Sequence, residues 1–356
     1  MKFLEDDDVQ NERKRVEEDI EEKRIQDMLV VHCLGKSYRN ITAVDNLTFG
    51  LRAGECFGLL GVNGAGKTTT FSILTGDISL FRGDAYLCNG EISLSKNLKW
   101  FQSKLGYCPQ FDALLERLTG EETLYFYARI LGIPSSNMKK DIKNVIRMVG
   151  LEEYANRIIE NYNNGTKRKL SIAVALLGNP KVLLLDEPSS GIDPASRKKI
   201  WQTLSNIKLK FNCSILLSSH SMDECEALCS RLGIMVNGVF RCLGSTQHLR
   251  SKYGQGYTVI ITLKSVLSEK ESYLIEIETE MQRALPSAVM KDYHQGLLHY
   301  HITDAKEKWS NIFRQMIILN SKFDFEDYYV SDTTLEQIFL TFARNQNSSL
   351  NVRNKF

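Results

Sequence analysis

No run of about 18 consecutive apolar residues occurs in this sequence, so nothing in it reads as a membrane-spanning helix. The longest apolar stretches, such as Val182–Leu185, are short and end in charge, the pattern of buried strands. The N-terminus, MKFLEDDDV, is acidic and lacks the apolar core of a secretory leader. Excess charge of one sign is also missing. Lys and Arg number 45 against 43 Asp and Glu, a net charge of +2, which argues against a nucleic-acid partner. The eight cysteines form no CxxC pair. Cys225 and Cys229 are four apart but would need two further ligands to hold a metal, so reduced thiols in a core are expected. No internal repeat and no long heptad run is found.

What is present changes character along the chain. Residues 1–27 hold 11 acidic and 6 basic side chains and no Gly or Pro. Opposite charges recur at helical spacing (Arg15/Asp19, Asp19/Lys23), which predicts a solvated helix or linker that would not fold alone. From residue 28, strand candidates (28–34, 43–51, 55–60, 181–186 and 213–218) alternate with helical segments, and residues 111–175 are mostly helical. That order predicts an α/β core with a largely parallel sheet and an inserted helical subdomain, spanning 28–250. Residues 257–344 read as a small α+β domain: strand 257–263, helix 268–284, strand 296–302, helix 305–320, strand 323–330. A last helix is expected over 332–344, with Leu335, Ile338, Phe339 and Phe342 on one face. The polar tail 345–356 is expected to be disordered.

Gly61-Val-Asn63-Gly64-Ala65-Gly66-Lys67-Thr68-Thr69 fits GxxxxGK[ST], with an apolar strand before it and a helix after it. Glycines let successive N–H groups turn inward on phosphate, the helix N-terminus adds partial positive charge, and Lys67 adds a full one. The Thr68 hydroxyl can ligate Mg²⁺. The strand Val182–Leu185 ends in Asp186 and Glu187, 119 residues after Lys67. Asp186 suits the metal side and Glu187 can polarise an attacking water. His220, just past the next strand, can donate to a γ-phosphate. Gln110, at a turn after a strand-like segment, can ligate Mg²⁺ or hold the water.

Taken in order, Tyr38, Gly61–Thr69, Gln110, Asn161–Leu170, Asp186-Glu187, Ser190–Asp193 and His220 resemble the ATP-binding cassette family over residues 28–250. The resemblance implies a P-loop NTPase fold with ATP and Mg²⁺ as ligands. It implies Lys67, Glu187 and His220 as catalytic groups, and Thr68, Gln110 and Asp186 as metal groups. Tyr38 would stack on adenine, and Ser190–Asp193 would cross to a partner cassette. GECFGLLGVNGAGKTTTFSILTGD, LGYCPQFDAL, LLLDEPSSGIDP and SSHSMDECEALCSRLGIMVNG are similar to the A subfamily, associated with lipid export. Residues 257–344 resemble that subfamily's C-terminal regulatory domain. The chain would then be the second cassette of a transporter, at the cytoplasmic face of a membrane. Its partners would be another cassette, transmembrane domains and a lipid, and residues 1–27 would be the link from the last membrane helix.

One segment departs from the family pattern. The signature reads Tyr162-Asn163-Asn164-Gly165-Thr166, with Asn163 in place of the Ser that contacts a γ-phosphate and Asn164 in place of a Gly. The resemblance implies that Asn163 and Gly165 serve the partner's ATP, so the site completed by Asn163-Asn164 is expected to be slower or mainly to bind. Two other readings stay open: a cassette ATPase not coupled to transport, and a regulatory ATP-binding module with weak hydrolysis.

Overall fold

The computed structural model describes residues 6–332 apart from 40, 212, 255, 264–270, 295, 303 and 305–306, together with Glu336 and Phe339. The described residues divide into two compact units, one up to Ser245 and one from Thr246 onward.

The first unit runs α1 (Asp7–Glu21), β1 (Leu29–Tyr38), β2 (Ile41–Leu51), β3 (Cys56–Leu60), α2 (Lys67–Leu74), β4 (Arg82–Leu87), β5 (Ile92–Ser93), α3 (Leu98–Ser103) and β6 (Leu105–Cys108). It continues α4 (Gly120–Ile130), α5 (Ser135–Val149), a 3₁₀ turn (Ile159–Asn161), α6 (Asn164–Leu176), β7 (Val182–Asp186), α7 (Pro194–Phe211), β8 (Ser214–Ser219), α8 (Met222–Leu228), β9 (Arg231–Val236) and β10 (Val239–Ser245). Six strands form one sheet in the order β10-β9-β3-β8-β7-β6. Every pair in it from β9 to β6 is parallel, and β10 is antiparallel to β9. β3 (CFGLL) and β7 (VLLLD) are buried along their whole length, which explains their unbroken apolar sequence.

The expected single, largely parallel sheet is only part of this unit. β2, β1, β4 and β5 form a second, antiparallel sheet. Leu29, Val31, Phe49 and Leu51 from it share a core with Phe57, Leu59, Leu216 and Phe240 from the first. Phe49 stacks on Phe57 at 5.0 Å, and Phe240 meets Phe49 edge-on at 5.7 Å.

α1 corrects the expectation of a solvated segment. It begins with Asp6 capping Asp8 N at 3.0 Å. It then buries Val9, Glu12 and Val16, one helical face, Val9 entering the shared core. Glu12 is its polar anchor: its Oε1 accepts from Arg15 at 2.9 Å, from Arg231 at 2.8 Å and from Gly50 N at 3.1 Å. Arg15 also reaches Asp27 at 2.8 Å. Gly50 must lack a side chain, because a β-carbon there would stand 1.9 Å from Asp27 Oδ2 and 2.4 Å from Arg15 Nη2. Charge at residues 1–27 therefore docks the helix.

The second unit holds α9 (Thr246–Tyr253), β11 (Tyr257–Thr262), α10 (Glu271–Ala284), β12 (Ala288–His294), β13 (Leu297–Ile302), α11 (Trp309–Phe323) and β14 (Asp327–Asp332). Its sheet, β12-β13-β11-β14, is antiparallel throughout. Val259, Ile261, Met281, Tyr300, Ile312 and Met316 are among its core residues. β12 is absent from the sequence-based expectation, and α11 runs to Phe323, where a strand was expected to start. Leu335, Ile338, Phe342 and the tail 345–356 lie outside the described residues.

The Glu12 cluster makes α1 docking sensitive to acid. Burial alone would raise the Glu12 carboxyl, but Arg15 and Arg231 hold it down at about 2, against an ordinary 4.5. A carboxyl lowered in the folded state stabilises above its ordinary value and loses that contribution as pH falls from 4.5 toward 2, here on the order of 3 kcal/mol. We predict that Glu12→Gln lowers the denaturation midpoint at pH 7 and flattens the acid limb between pH 4.5 and 2. A urea titration at several pH values reads both changes.

Candidate functional site

Parallel pairing aligns the C-terminal ends of β3, β8, β7 and β6 along one edge of the sheet, where α/β folds place their ligands. Each end leads into a segment that the sequence singled out: Gly61–Thr69 after β3, His220 after β8, Asp186-Glu187 at β7 and Gln110 after β6. Gly61 N donates to Ser219 O at 3.3 Å, carrying the β3–β8 pairing into the loop.

Local sequence sets the loop's shape. Gly64 and Gly66 take positive φ, 81° and 106°. A β-carbon on Gly66 would lie 2.5 Å from Ala43 O, and one on Gly61 would lie 2.8 Å from the Ala65 β-carbon. Ala65 N donates to Val62 O at 3.1 Å, and Thr70 Oγ1 donates to Gly66 O at 3.0 Å. α2 begins at Lys67, so the amides of the loop and of the first helical turn belong to one continuous bend. Asn63, Gly64 and Thr68 face solvent and Thr69 is half-buried. Tyr38, 45% exposed, ends β1 opposite Ile41 in the same hairpin that brings Ala43 to Gly66.

Three of the expected groups converge on the carboxylate of Glu187. Lys67 Nζ lies 3.4 Å from Oε1, Gln110 Nε2 donates to Oε2 at 3.2 Å, and His220 Nδ1 sits 3.1 Å from Oε2. Lys67 is itself buried and donates to Gly61 O at 2.7 Å. Asp186 is buried beside this group. Burial pushes its carboxyl up, while Ser218 and Thr68 pull it back. Ser218 Oγ donates to Asp186 Oδ1, and Oδ2 is buried without a hydrogen-bond partner. An orphaned buried carboxylate oxygen next to a threonine hydroxyl is a donor set that fits a hard cation such as Mg²⁺.

Asn163, Gly165 and Asp193 lie at two other helix ends. Asn163 caps α6: its Oδ1 accepts from Thr166 N at 2.8 Å and from Thr166 Oγ1 at 2.9 Å. Asn164 is the first residue of α6 and takes no positive φ, so the left-handed tolerance of Asn is not needed there. The steric requirement falls on Gly165, where a β-carbon would stand 2.8 Å from that of Ser196. Asp193 Oδ2 accepts from Ser196 N at 2.9 Å at the start of α7. Backbone bonding to this carboxylate lowers its pKa.

Two residues at the site were missed by sequence reasoning. Ser218 bridges the carboxylate pair, taking a bond from Glu187 N at 3.0 Å while donating to Asp186. Its signal was a pair of serines ending an apolar strand. Arg168 sits under the same turn, and nothing in the sequence around it distinguishes it from the other cations of Lys167-Arg168-Lys169.

A glycine-rich loop on a central parallel strand, a carboxylate pair on the next strand but one, and a glutamine and histidine at the flanking tips define a P-loop nucleoside triphosphatase of the cassette type. Residues 44–190 match the ABC transporter family and residues 254–332 match the ABCA1-like C-terminal R1 regulatory domain. The chain belongs to the ABC transporter family, and this pairing of domains places it with the A-type members. It is 43% identical over 345 residues to the human phospholipid-transporting ATPase ABCA3, covering 96% of this chain and 20% of that protein. Identity to the human glucosylceramide transporter ABCA12 is 44% over 348 residues, covering 97% and 13%. The chain thus spans a fifth or less of the length of these relatives. Among solved structures, the ATP-binding subunit of an ABC transporter superposes with a TM-score of 0.57 at 29% identity, covering 64% of this chain and 93% of that one. A post-hydrolysis dimer of the cassette MJ0796 bound to ADP and Pi superposes with a TM-score of 0.55 at 22% identity, covering 61% and 98%, and shares the fold.

The loop geometry makes Gly66→Ala a sharp test. Both the positive φ and the 2.5 Å approach to Ala43 O oppose a methyl group, and strain of this kind costs about 1–3 kcal/mol. A matching loss in chemical denaturation is expected, with Gly132→Ala as the uncrowded control: its φ is also positive, but no atom lies within 4 Å of its β-carbon position.

Proposed function

We propose that this chain binds ATP on the Gly61–Thr69 loop, hydrolyses it, and drives lipid movement across a membrane as the cytoplasmic cassette of a larger transporter. The observation that carries the hydrolytic part is the convergence of Lys67, Gln110 and His220 on Glu187 at 3.4, 3.2 and 3.1 Å.

In this reading adenine stacks near Tyr38 and the phosphates lie against the backbone amides of Gly61–Thr69, including those of Asn63, Gly64, Ala65 and Gly66. The Lys67 ammonium exchanges the carbonyl of Gly61 for phosphate oxygens. Glu187 orients a water in line with the γ-phosphorus and takes up its proton, and His220 donates to the γ-phosphate as charge grows there. Gln110 spans from the end of β6 to Glu187, so a shift of the helical segment that follows it is felt at the water. Mg²⁺, when bound, neutralises charge on the phosphates. Thr68, Gln110 and, through water, Asp186 would hold it.

A second cassette would close over the nucleotide, with Asn163, Gly165 and Asp193 of this chain facing the partner's ATP. Support comes from the dimeric form of the MJ0796 cassette. The lipid reading is supported by relatives described as moving phospholipid and glucosylceramide. α1 then joins the cassette to membrane helices outside this chain.

Glu187→Gln is expected to lower ATP turnover about a hundredfold or more while keeping nucleotide affinity. Lys67→Ala is expected to abolish MgATP binding in a fluorescence titration. Binding that survives Lys67→Ala would end the proposal. Asn163→Ser combined with Asn164→Gly, made in the whole transporter, is expected to raise turnover several-fold. An unchanged rate, with both sites already equal, would remove the slow-site reading.

A further inference from the structure

Arg168 is 3% exposed, and no role was drawn for it from sequence. Its guanidinium is surrounded by acceptors on two sides. Nε donates to Pro188 O at 2.9 Å, and Nη2 donates to Asp186 O at 2.8 Å and Glu187 O at 3.1 Å. Nη1 donates to Pro109 O, to Gln110 O at 3.3 Å and to Asp112 Oδ1 at 3.1 Å. Five of these six acceptors are backbone carbonyls. They belong to two loops, the tips of β6 and β7. Burying a cation is costly, and a full set of acceptors is what makes it tolerable.

One of the loops needs such support. Glu187 is a non-glycine residue with φ 47°, in a region that persists only when its surroundings fix it. Its N–H is held by Ser218 Oγ at 3.0 Å and Ser218 O at 3.1 Å, and its carbonyl is held by Arg168. On the other side, Arg168 lies on α6, little more than one turn from the cap Asn163, where Lys167 N donates to Asn163 O at 2.9 Å.

We infer that Arg168 is a positioning residue that ties the N-terminus of α6 to the Gln110 loop and the Glu187 turn, so that a displacement at Asn163 is transmitted to both. Resting on the cassette reading above, it gives a physical link between the partner's ATP, which would face Asn163, and this chain's own, on which Gln110 and Glu187 would act. The geometry demands arginine. A planar fork can serve two loops at once, whereas an ammonium on a single point cannot.

Hydrogen exchange at the Glu187 turn and backbone ¹⁵N order parameters at the Gln110 loop, both on the nucleotide-free chain, test the link without assuming ATPase activity. Arg168→Lys is expected to speed amide exchange at Glu187 and Ser190, whose N–H groups are bonded to Ser218 and to Glu187 O, by about tenfold or more, and to lower the order parameters of Gln110–Asp112, leaving β3 and β8 as in the parent. A merely structural role would instead raise exchange throughout the sheet and lower the thermal midpoint with it. Asn163→Gly, which loosens the α6 cap, is expected to lower the order parameters of Gln110–Asp112 in the parent and to add nothing in Arg168→Lys. Additive effects, or no change at either loop, would overturn the inference. If Arg168→Lys does not fold, Asp112→Asn carries the test: order parameters at Gln110–Asp112 must fall with an unchanged midpoint, and no fall overturns it. In the active transporter, Arg168→Lys should reduce kcat at least tenfold with KM within about threefold. A parent without ATP turnover, but with the exchange and order-parameter pattern above, would sink the ATPase reading and leave the link standing.

Discussion

The carboxylate of Glu187 is the point on which the C-terminal edge of the parallel sheet is assembled. It receives an ammonium from α2, an amide from the loop after β6 and an imidazole from the end of β8. None of these three residues is near it in sequence. They meet because β3, β8, β7 and β6 run parallel and in adjacent positions, so that four chain segments arrive at one edge together. The left-handed turn at Glu187 is what lets its side chain leave the strand line that Asp186 follows. Ser218 and Arg168 hold that turn from opposite sides. The support for this turn therefore lies one layer behind the site.

Sequence made the groups at the strand tips readable because each obeys a local rule. Phosphate loops need glycines at fixed spacing, and a carboxylate after an apolar strand announces itself. Arg168 obeys no such rule. Its importance depends on carbonyls at 109–110 and 186–188, and main-chain oxygens leave no trace in side-chain identity. The crowding at Gly165 comes from Ser196, 31 positions on, and no local pattern reports it. The antiparallel sheet escaped for a similar reason. Its strands alternate with the parallel ones along the chain, and strand order is a property of pairing. In the second unit, β12 (AVMKDYH) carries too few apolar residues for its alternation to stand out.

Charge was misread where it is concentrated. Residues 1–27 carry so many acidic and basic groups that solvation was the natural expectation. The structure separates them by helical position: Glu12 faces inward onto Arg15, Arg231 and Gly50, while its neighbours stay at the surface. A buried carboxylate with three donors gives the docking a defined register, which apolar residues alone would set less sharply.

The topology also dictates when this protein can form during synthesis. The phosphate-loop strand, residues 56–60, pairs only with β8 and β9, residues 214–219 and 231–236. Both of its neighbours leave the ribosome more than 150 residues later, on the order of ten seconds or more at ordinary elongation rates. Throughout that interval a fully apolar strand and its glycine-rich loop have no native sheet to join. Until β8 and β9 emerge, the antiparallel sheet, whose Phe49 stacks on Phe57, is the native packing partner the phosphate-loop strand has, and the backbone edges of β3 stay unpaired.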